Sequence, residues 1–269
     1  MIKTYLSALM ISFCLISYLP PTDSAAVQDL QEIKEKEHIS RMYDRAVEFF
    51  TRKIPEDFAY RLNNSYKYID AVMAIFGEKG IPAEIAYLPF LESGFSPASV
   101  GPGDAAGLWQ FMKVTAQKYG LIMDAYVDER KDPVKSTHAA AAYLSDLHTM
   151  FGQWDIALAA YNAGEGKIKR IMSGKNAGRL PAGFSRYVAR LLAVFNMAQE
   201  PQEYGFMLSD DTQTGDGNYK EITTSMSTSL KKIAAQNNTT VTAIRELNPA
   251  LLRDKTPPYH YVIRVPADN

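Results

Sequence analysis

The spacing of apolar residues before residue 200 is the feature that most restricts the fold. From about Asp29 to Lys79 apolar side chains recur at steps of three and four, which lays one apolar stripe along a helix. The stripe consists of Phe58, Leu62, Tyr66, Ile69, Met73 and Phe76. No alternating pattern of the length that predicts a β-strand occurs in this part of the chain. The sequence therefore predicts a mainly α fold here.

Start and stop signals divide the central part of the chain into further helices. Gly80 ends one helix and Pro82 suits the first turn of the next, whose apolar run leads to Glu92 near a helix C-terminus. Asp132 is a predicted N-cap, with Pro133 in the first turn that follows. The other predicted helices are AAGLWQFMKVTAQKYG, ended by Gly120; WDIALAAYNAGEGKIKRIM, broken at residues 162–166 by two glycines; and a last one from about Ser185 to Ala198.

The composition changes after LSDDTQTGDGN, which is typical of a linker. Beyond it, YKEITTS and YVIRVP predict short strands around two small helices, SLKKIAAQN and TVTAIRELN. The predicted organisation is an N-terminal helical segment at 27–79 packing on a central domain at 80–206, a linker at 207–218 and a β-α-α-β module at 219–269. We expect residues 27–206 to fold and act without the module.

The first 26 residues predict an export signal, with Lys3 as the positive head and an apolar segment from Tyr5 to Leu19. A membrane anchor is the alternative, although about 15 apolar residues are fewer than the ~20 that span a bilayer. Cys14 is the only cysteine and follows a phenylalanine inside this segment, which argues against lipid attachment. We therefore expect an exported protein of a bacterial periplasm or cell envelope, without disulfides once the signal is removed.

The charge balance excludes one class of partner. The 29 lysines and arginines nearly match the 30 aspartates and glutamates. Such a chain has no large basic field to hold nucleic acid or an anionic membrane. Binding must therefore rest on local sites.

Three segments in order carry a resemblance to a known family. ESGFSP, AAGLWQFM and ALAAYNAGEGKI resemble the signature segments of the lysozyme-like lytic transglycosylases, which cleave bacterial peptidoglycan, and most of all the membrane-bound type D branch. The resemblance covers roughly residues 56–200 and implies a lysozyme-like helical domain acting on glycan strands, with no cofactor or metal. The C-terminal module is similar to the LysM repeat through SLKKIA, ELNP and IRVP, but MST stands where that repeat usually has Gly-Asp.

Glu92 is the candidate catalytic residue. Cleaving a glycosidic bond needs a carboxylic acid that stays protonated near neutral pH. Leu88 to Leu91 before Glu92 and Phe95 after it offer an apolar wall that raises a carboxylate pKa, and a helix C-terminus disfavours negative charge. Gly94 and Pro97 turn the chain so that the acid faces a groove. An exposed helix end is the alternative.

The resemblance implies substrate-binding roles for five further residues: Ser93, Gln110, Met112, Tyr161 and Asn162. Neutral tyrosine and amide groups suit N-acetyl groups and hydroxyls. The role of Ser93 is to hold the turn after the acid. Backbone capping remains the alternative for Gln110 and Asn162. For Met112 and Trp109, a position in the core and a position in the groove are equally open.

The chain departs from the family at two places. GPGD follows the acid, so Gly101 replaces a serine that contacts substrate and Asp104 replaces a glycine. Gly183 stands where the family has a glutamate shortly before a Tyr-Val pair, here Tyr187 and Val188. We expect at least one substrate hydrogen bond to be missing and the acid to be unaffected.

Several functions stay open or are excluded. A hydrolase with Asp104 as a second carboxylate is one alternative, since such pairs lie about 5–9.5 Å apart. A glycan-binding protein without turnover is another. His38, His138, His148 and His260 lack the spacing of a zinc helix, so no metal is implied. GEGKIKR lacks the spacing of a phosphate loop.

Overall fold

The computed structural model describes residues 30, 33, 37–173, 180–207 and 219–267. The predicted signal segment lies outside the described residues, as do all positions of the predicted linker except Met207. The described α-helices before residue 208 are α1 (Glu37–Glu48), α2 (Pro55–Ser65), α3 (Ile69–Glu78), α4 (Leu88–Glu92), α5 (Lys113–Lys118), α6 (Pro133–Phe151), α7 (Trp154–Ala163), α8 (Glu165–Met172) and α9 (Ala182–Gln199). A π-helical turn spans Phe49–Lys53, and short 3₁₀ turns span Ala83–Tyr87, Pro102–Asp104, Glu129–Lys131 and Pro201–Tyr204.

The N-terminal helices share one hydrophobic core with the central motifs. Helix α1 packs along α9, and the Asn196 amide donates to the Tyr43 hydroxyl at 3.0 Å. Under α4, the Phe58 ring lies 4.9 Å from that of Phe90 and 4.5 Å from that of Phe206, centroid to centroid. All three rings are buried in that core. The end of α4, where Glu92 lies, therefore rests on residues from both ends of the domain.

Several predicted helix signals are confirmed. The Asp132 side chain accepts the Val134 and Lys135 amides at 3.0 and 2.9 Å, with Pro133 as the first residue of α6. Gly164 adopts φ = 87° between α7 and α8. Helix α9 begins at Ala182, slightly earlier than predicted. The mainly α fold class is confirmed.

Two sequence predictions are wrong in detail. The apolar stripe from Phe58 to Phe76 does not lie on one helix, because α2 ends at Ser65 and α3 begins at Ile69. In AAGLWQFMKVTAQKYG only residues 113–118 are α-helical. Hydrophobic periodicity could not show the first break, since the buried positions of α2 and α3 keep a helical spacing across it.

Residues 100–111 form a small looped hairpin in place of that predicted helix. Ala106 forms antiparallel bridges with Val100 and with Phe111. Gly107 has φ = 80°, and a Cβ atom there would lie 1.7 Å from the Arg130 carbonyl oxygen. Only glycine permits both this conformation and this close approach. We call residues 100–112 the groove hairpin, because it contributes to the site described below.

The C-terminal module has the predicted β-α-α-β order. Strands β1 (Tyr219–Thr224) and β2 (Tyr261–Pro266) pair antiparallel, with Tyr219 opposite Pro266. Helices α10 (Leu230–Gln236) and α11 (Val241–Leu247) lie between them in sequence. The module has its own hydrophobic core, which also contains Val127 from the central domain. Within the described ranges, no helix has the length and apolar character needed to cross a membrane.

Candidate active site

Glu92 is the last residue of α4 and is only partly exposed. The chain reverses directly after it, because Gly94 and Phe95 adopt φ values of 63° and 55°. Burial raises the pKa of the Glu92 carboxyl, and a hydrogen bond from Tyr187 offsets part of that rise. A protonated Glu92 is therefore more populated near neutral pH than an ordinary glutamic acid.

Tyr187 is the hydrogen-bond partner of the acid. It lies on the first turns of α9, and its hydroxyl donates to Glu92 Oε1 in a short bond. Burial, and then the charge of Glu92, raise the pKa of Tyr187 well above its usual value, so the tyrosine remains a donor. The nearby Asn162 side chain offsets a small part of this rise in pKa. The hydrogen bond between Tyr187 and Glu92 joins α9 to α4.

Tyr161 also lies near the acid. Its hydroxyl donates to the Trp109 carbonyl oxygen at 2.7 Å, which ties α7 to the groove hairpin. Burial, followed by the charge of Glu92, raises the Tyr161 pKa well above its usual value. Trp109 itself is fully buried, with its indole N–H donating to the Thr137 hydroxyl at 3.0 Å. Of the two roles left open for Trp109, the core position is the one observed.

A cleft of about 320 Å³ opens beside Tyr161. Four of the five predicted binding residues line it: Gln110, Met112, Tyr161 and Asn162. Phe111, Thr115, Tyr143, Ala163, Gly164 and Glu165 complete the lining. Met112 is 46% exposed, so it borders the cleft rather than the core. The cleft is less neutral than predicted, because it includes the Glu165 carboxylate, which accepts a hydrogen bond from the Tyr143 hydroxyl at 2.9 Å.

Ser93 makes hydrogen bonds that hold the chain reversal after Glu92. Its hydroxyl donates to the Leu108 carbonyl oxygen at 2.8 Å and accepts the Ser96 amide at 3.3 Å. These bonds attach the segment after the acid to the groove hairpin. The geometry matches the turn-holding role that the resemblance implies for Ser93.

Gln110 occupies the space above Gly101. It has φ = 49°, and its amide nitrogen donates to the Gly107 carbonyl oxygen at 2.9 Å. A Cβ atom at Gly101 would lie 2.2 Å from Gln110 Oε1. The missing side chain at position 101 therefore leaves room for the amide of Gln110.

Asp104 has surroundings opposite to those of Glu92. It is half-exposed and pairs with Lys113 at 2.8 Å and with Arg130 at 3.7 Å. The hydrogen bond from Lys113 is the main cause of a lowered Asp104 pKa. Asp104 is therefore ionised at neutral pH and already paired.

Three residues that the geometry brings to the site are not predicted from the sequence. Tyr187 was noticed only as a landmark of the Tyr-Val pair, and its link to Glu92 spans 95 positions. Glu165 belongs to the AYNAGEG segment, which is the signal that could have identified it. Nothing in the sequence distinguishes Tyr143 from other aromatic residues of a helix. In the part of the chain that the structure describes, no group of three or more His, Cys, Asp or Glu residues could hold a metal ion.

Comparisons with known proteins identify a similar domain in this part of the chain. Residues 74–179 match the family model of the transglycosylase SLT domain. Membrane-bound lytic murein transglycosylase D of Escherichia coli, from strain K12 and from strain O6:H1, is 36% identical over 141 residues, which is 49% of this chain and 31% of the relative. A protein of Alteromonas sp. (strain M-1) named for tributyltin chloride resistance is 33% identical over 107 residues, or 39% of this chain and 52% of that protein.

The match is partial in length. The chain spans about a third of the Escherichia relatives and about half of the Alteromonas protein. Residues 74–179, which match the family model, contain Glu92, the groove hairpin and the cleft, whereas Tyr187 lies just beyond them. The motifs, the helical fold and these matches agree that residues 74–179 are similar to a transglycosylase SLT domain.

Proposed function

We propose that this protein is a peptidoglycan lytic transglycosylase of the cell envelope. It cleaves the β-1,4 bond between N-acetylmuramic acid and N-acetylglucosamine and leaves a 1,6-anhydromuramyl end. The observation that carries the proposal is the Glu92 carboxyl, whose pKa is raised by burial and which accepts a hydrogen bond from the Tyr187 hydroxyl. The matched domain and the name of the Escherichia relatives support the same substrate class.

Glu92 acts first as a general acid. Its proton goes to the glycosidic oxygen as the bond from that oxygen to C1 of the muramyl sugar breaks. The leaving N-acetylglucosamine departs with a free hydroxyl, and Glu92 becomes a carboxylate. Tyr187 stabilises that carboxylate through its hydrogen bond, because a charged acceptor binds an O–H donor more strongly than a neutral one.

Glu92 then acts as a base. The carboxylate takes the proton from the C6 hydroxyl of the same muramyl sugar, and that oxygen forms a bond to C1. The acid is regenerated and no water is consumed. Because the nucleophile is part of the bound sugar, its high effective concentration removes the need for a second carboxylate to activate water.

The cleft supplies the recognition groups. The Gln110 amide and the hydroxyl of Tyr161 can meet N-acetyl groups and sugar hydroxyls without ion pairing. Met112 offers apolar surface to a sugar face or an acetyl methyl group. This lining suits a long neutral glycan better than a small charged ligand.

A two-carboxylate hydrolase is the second candidate, and Glu165 favours it more than Asp104 does. Glu165 lines the cleft, whereas the Asp104 carboxylate is paired with Lys113. Hydrolysis needs a carboxylate that is free to activate water or attack C1. The Tyr143 hydrogen bond to Glu165 satisfies one carboxylate oxygen and leaves the other for such a role.

Mass spectrometry of the products decides between these reactions. The mature protein is incubated with peptidoglycan sacculi, beside the variants Glu92→Gln, Asp104→Asn and Glu165→Gln. We expect anhydro ends from the wild type, from Asp104→Asn and from Glu165→Gln, and no soluble fragments from Glu92→Gln. Reducible ends that are heavier by one water, together with an inactive Glu165→Gln variant, would establish hydrolysis instead. Binding of sacculi without any soluble fragment would leave a glycan-binding protein.

A further inference from the structure

The C-terminal module contacts the central domain mainly through residues 122–132, which we call the docking loop. Lys135 of α6 adds one contact outside this loop, because its Nζ lies 4.1 Å from the centre of the Tyr261 ring. Val127 in this loop is completely buried, and it is buried in the core of the module rather than in that of its own domain. It forms an antiparallel bridge with Leu251. Its neighbours in that core are Leu230, Ile233, Ala234, Ile244, Tyr261, Ile263 and Val265. A flexibly tethered module would complete its core from its own residues.

Backbone hydrogen bonds continue the contact on both sides of Val127. The Asp128 amide donates to the Ala250 carbonyl oxygen at 2.9 Å, and the Leu252 amide donates to the Tyr126 carbonyl oxygen at 2.8 Å. Backbone pairing of this kind fixes the register of two segments. The loop after α11 is therefore held in one position against the docking loop.

A buried ion pair closes the interface at its far end. Arg264 on β2 donates to both carboxylate oxygens of Asp132, at 3.2 and 3.4 Å, and both side chains are almost entirely buried. The Tyr259 hydroxyl donates to Asp124 at 2.6 Å. A buried pair of this kind adds geometric specificity even where its net contribution to stability is small.

The docking loop also holds the groove hairpin, through Arg130. The Asp128 carboxylate accepts the Arg130 guanidinium at 2.9 and 2.7 Å, which fixes its direction. The same guanidinium donates to the carbonyl oxygens of Asp104 and Phe111, on the two sides of the hairpin. The Arg130 carbonyl oxygen lies directly over Gly107. The groove hairpin therefore contacts the docking loop, and the docking loop in turn contacts the C-terminal module.

We propose that the C-terminal module positions the wall of the glycan groove, through the contacts of Ala250, Leu251, Tyr259 and Arg264 with the docking loop. This inference rests on the proposed function for its substrate, and it differs from the expectation from the sequence that residues 27–206 act without the module. Gln110 and Met112 belong to the supported hairpin, whereas Glu92 and Tyr187 lie on α4 and α9. The module acts on glycan affinity and leaves the proton transfer unchanged.

The test uses full-length protein with the double variant Arg264→Met, Tyr259→Phe. Asp132 keeps its backbone donors at the start of α6 in this variant, so the helix cap survives. Tyr259→Phe alone is the milder version, since it removes one hydrogen bond at a largely exposed site. Asp254→Asn is the matched control, because it removes an exposed ion pair within the module, that with Arg245.

Hydrogen exchange of the free protein is the first readout, and it does not depend on activity. The Ala106, Gln110 and Phe111 amides bond within the hairpin. We expect their exchange to accelerate in the double variant together with that of the docking loop, and to stay unchanged in Asp254→Asn. Kinetics on short soluble glycans are the second readout: KM should rise about threefold to about tenfold, with kcat and the alkaline limb of its pH profile unchanged.

Three results would overturn the proposal. One is faster exchange in the docking loop with wild-type exchange in the hairpin and a wild-type KM. Another is unchanged exchange in both segments, because the proposal assigns their position to the removed contacts. The third is a defect confined to insoluble peptidoglycan, which indicates a wall-retention role. A wild-type protein without turnover would instead refute the proposed function, and the exchange experiment would still decide the role of the module.

Discussion

Glu92 and Asp104 lie in one short stretch of chain, but their surroundings shift their pKa values in opposite directions. Glu92 lies at the end of α4 above a cluster of phenylalanine rings, and burial raises its pKa. Asp104 lies in an exposed 3₁₀ turn, where Lys113 lowers its pKa. The difference shows that the side-chain type does not decide which carboxyl can donate a proton. Desolvation and the charge of the neighbour decide it.

The largest expected effect is on turnover, which should be lost on substitution of Glu92 and kept on substitution of Asp104. Glu92→Gln keeps the shape of the side chain but cannot give up a proton, so turnover should fall by about 10²- to 10⁴-fold or more. Asp104→Asn should change the rate by less than about threefold, because an exposed pair contributes little. The release of soluble fragments from sacculi measures both. Equal losses in the two variants would contradict the contrast.

The next effect concerns the neighbour of each carboxylate. Tyr187→Phe removes the hydrogen bond that stabilises the Glu92 carboxylate, so the Glu92 pKa rises further. The alkaline limb of the pH profile of kcat/KM should then move to higher pH. The maximal rate should fall about tenfold to about a hundredfold, the effect of losing a hydrogen bond to a charged group.

Lys113→Met is the matched change for Asp104. It removes the main cause of the lowered Asp104 pKa. The pH profile should stay that of the wild type, since Asp104 takes no part in the proposed proton transfer. A shift of that profile in Lys113→Met would bring Asp104 back as a catalytic group.

A smaller effect concerns the pH dependence of stability. The folded-state pKa of Glu92 is raised, so its contribution to stability is present below the unfolded pKa and is lost as pH rises through the folded pKa. Glu92→Gln should therefore raise the thermal midpoint at neutral pH, and the gain should disappear in acid. Asp104→Asn should lower the midpoint slightly at neutral pH, and this loss should also disappear as pH falls through the lowered pKa of Asp104. Thermal scans at several pH values give both curves.

The smallest effects come from two glycines, one in the turn of Asp104 and one in the helix of Tyr187. A side chain at Gly101 displaces the Gln110 amide from its bond to Gly107, so Gly101→Ser should weaken glycan binding about twofold to about tenfold. Among the described residues, apart from its chain neighbours and the backbone of its own helix, no atom lies within 4 Å of a Cβ at Gly183, so Gly183→Ser should change stability by less than about 0.5 kcal/mol. If Gly101→Ser weakens binding equally in a Gln110→Ala background, the displacement of Gln110 is not the cause.

The sequence predicts those helix ends that depend on one or two neighbouring residues. Asp132 followed by Pro133 indicates a helix start, and Gly164 permits the positive φ that separates two helices. Glu92 is recognisable because its apolar neighbours in the chain are also the residues around it in space. The sequence therefore predicts the mainly α fold, most helix boundaries and the acid.

The groove hairpin and the docking of the module have causes that are distant in the chain. The left-handed conformation of Gln110 depends on contacts across the hairpin, which Arg130 supports from another loop. Val127 looks like an ordinary loop valine until the module packs around it. Tyr187 reaches Glu92 only after α9 has packed against α4. No periodicity in one segment encodes such pairings.

The hydrogen bond between Tyr187 and Glu92 also has a consequence for the newly made chain. The two residues are 95 positions apart, and α9 is the last α-helix described before the C-terminal module. A partly folded chain without α9 in place exposes Glu92 to water, where it is an ordinary carboxylic acid, ionised at neutral pH. Under the proposed function, such a chain cannot cut glycan before α9 has packed against α4.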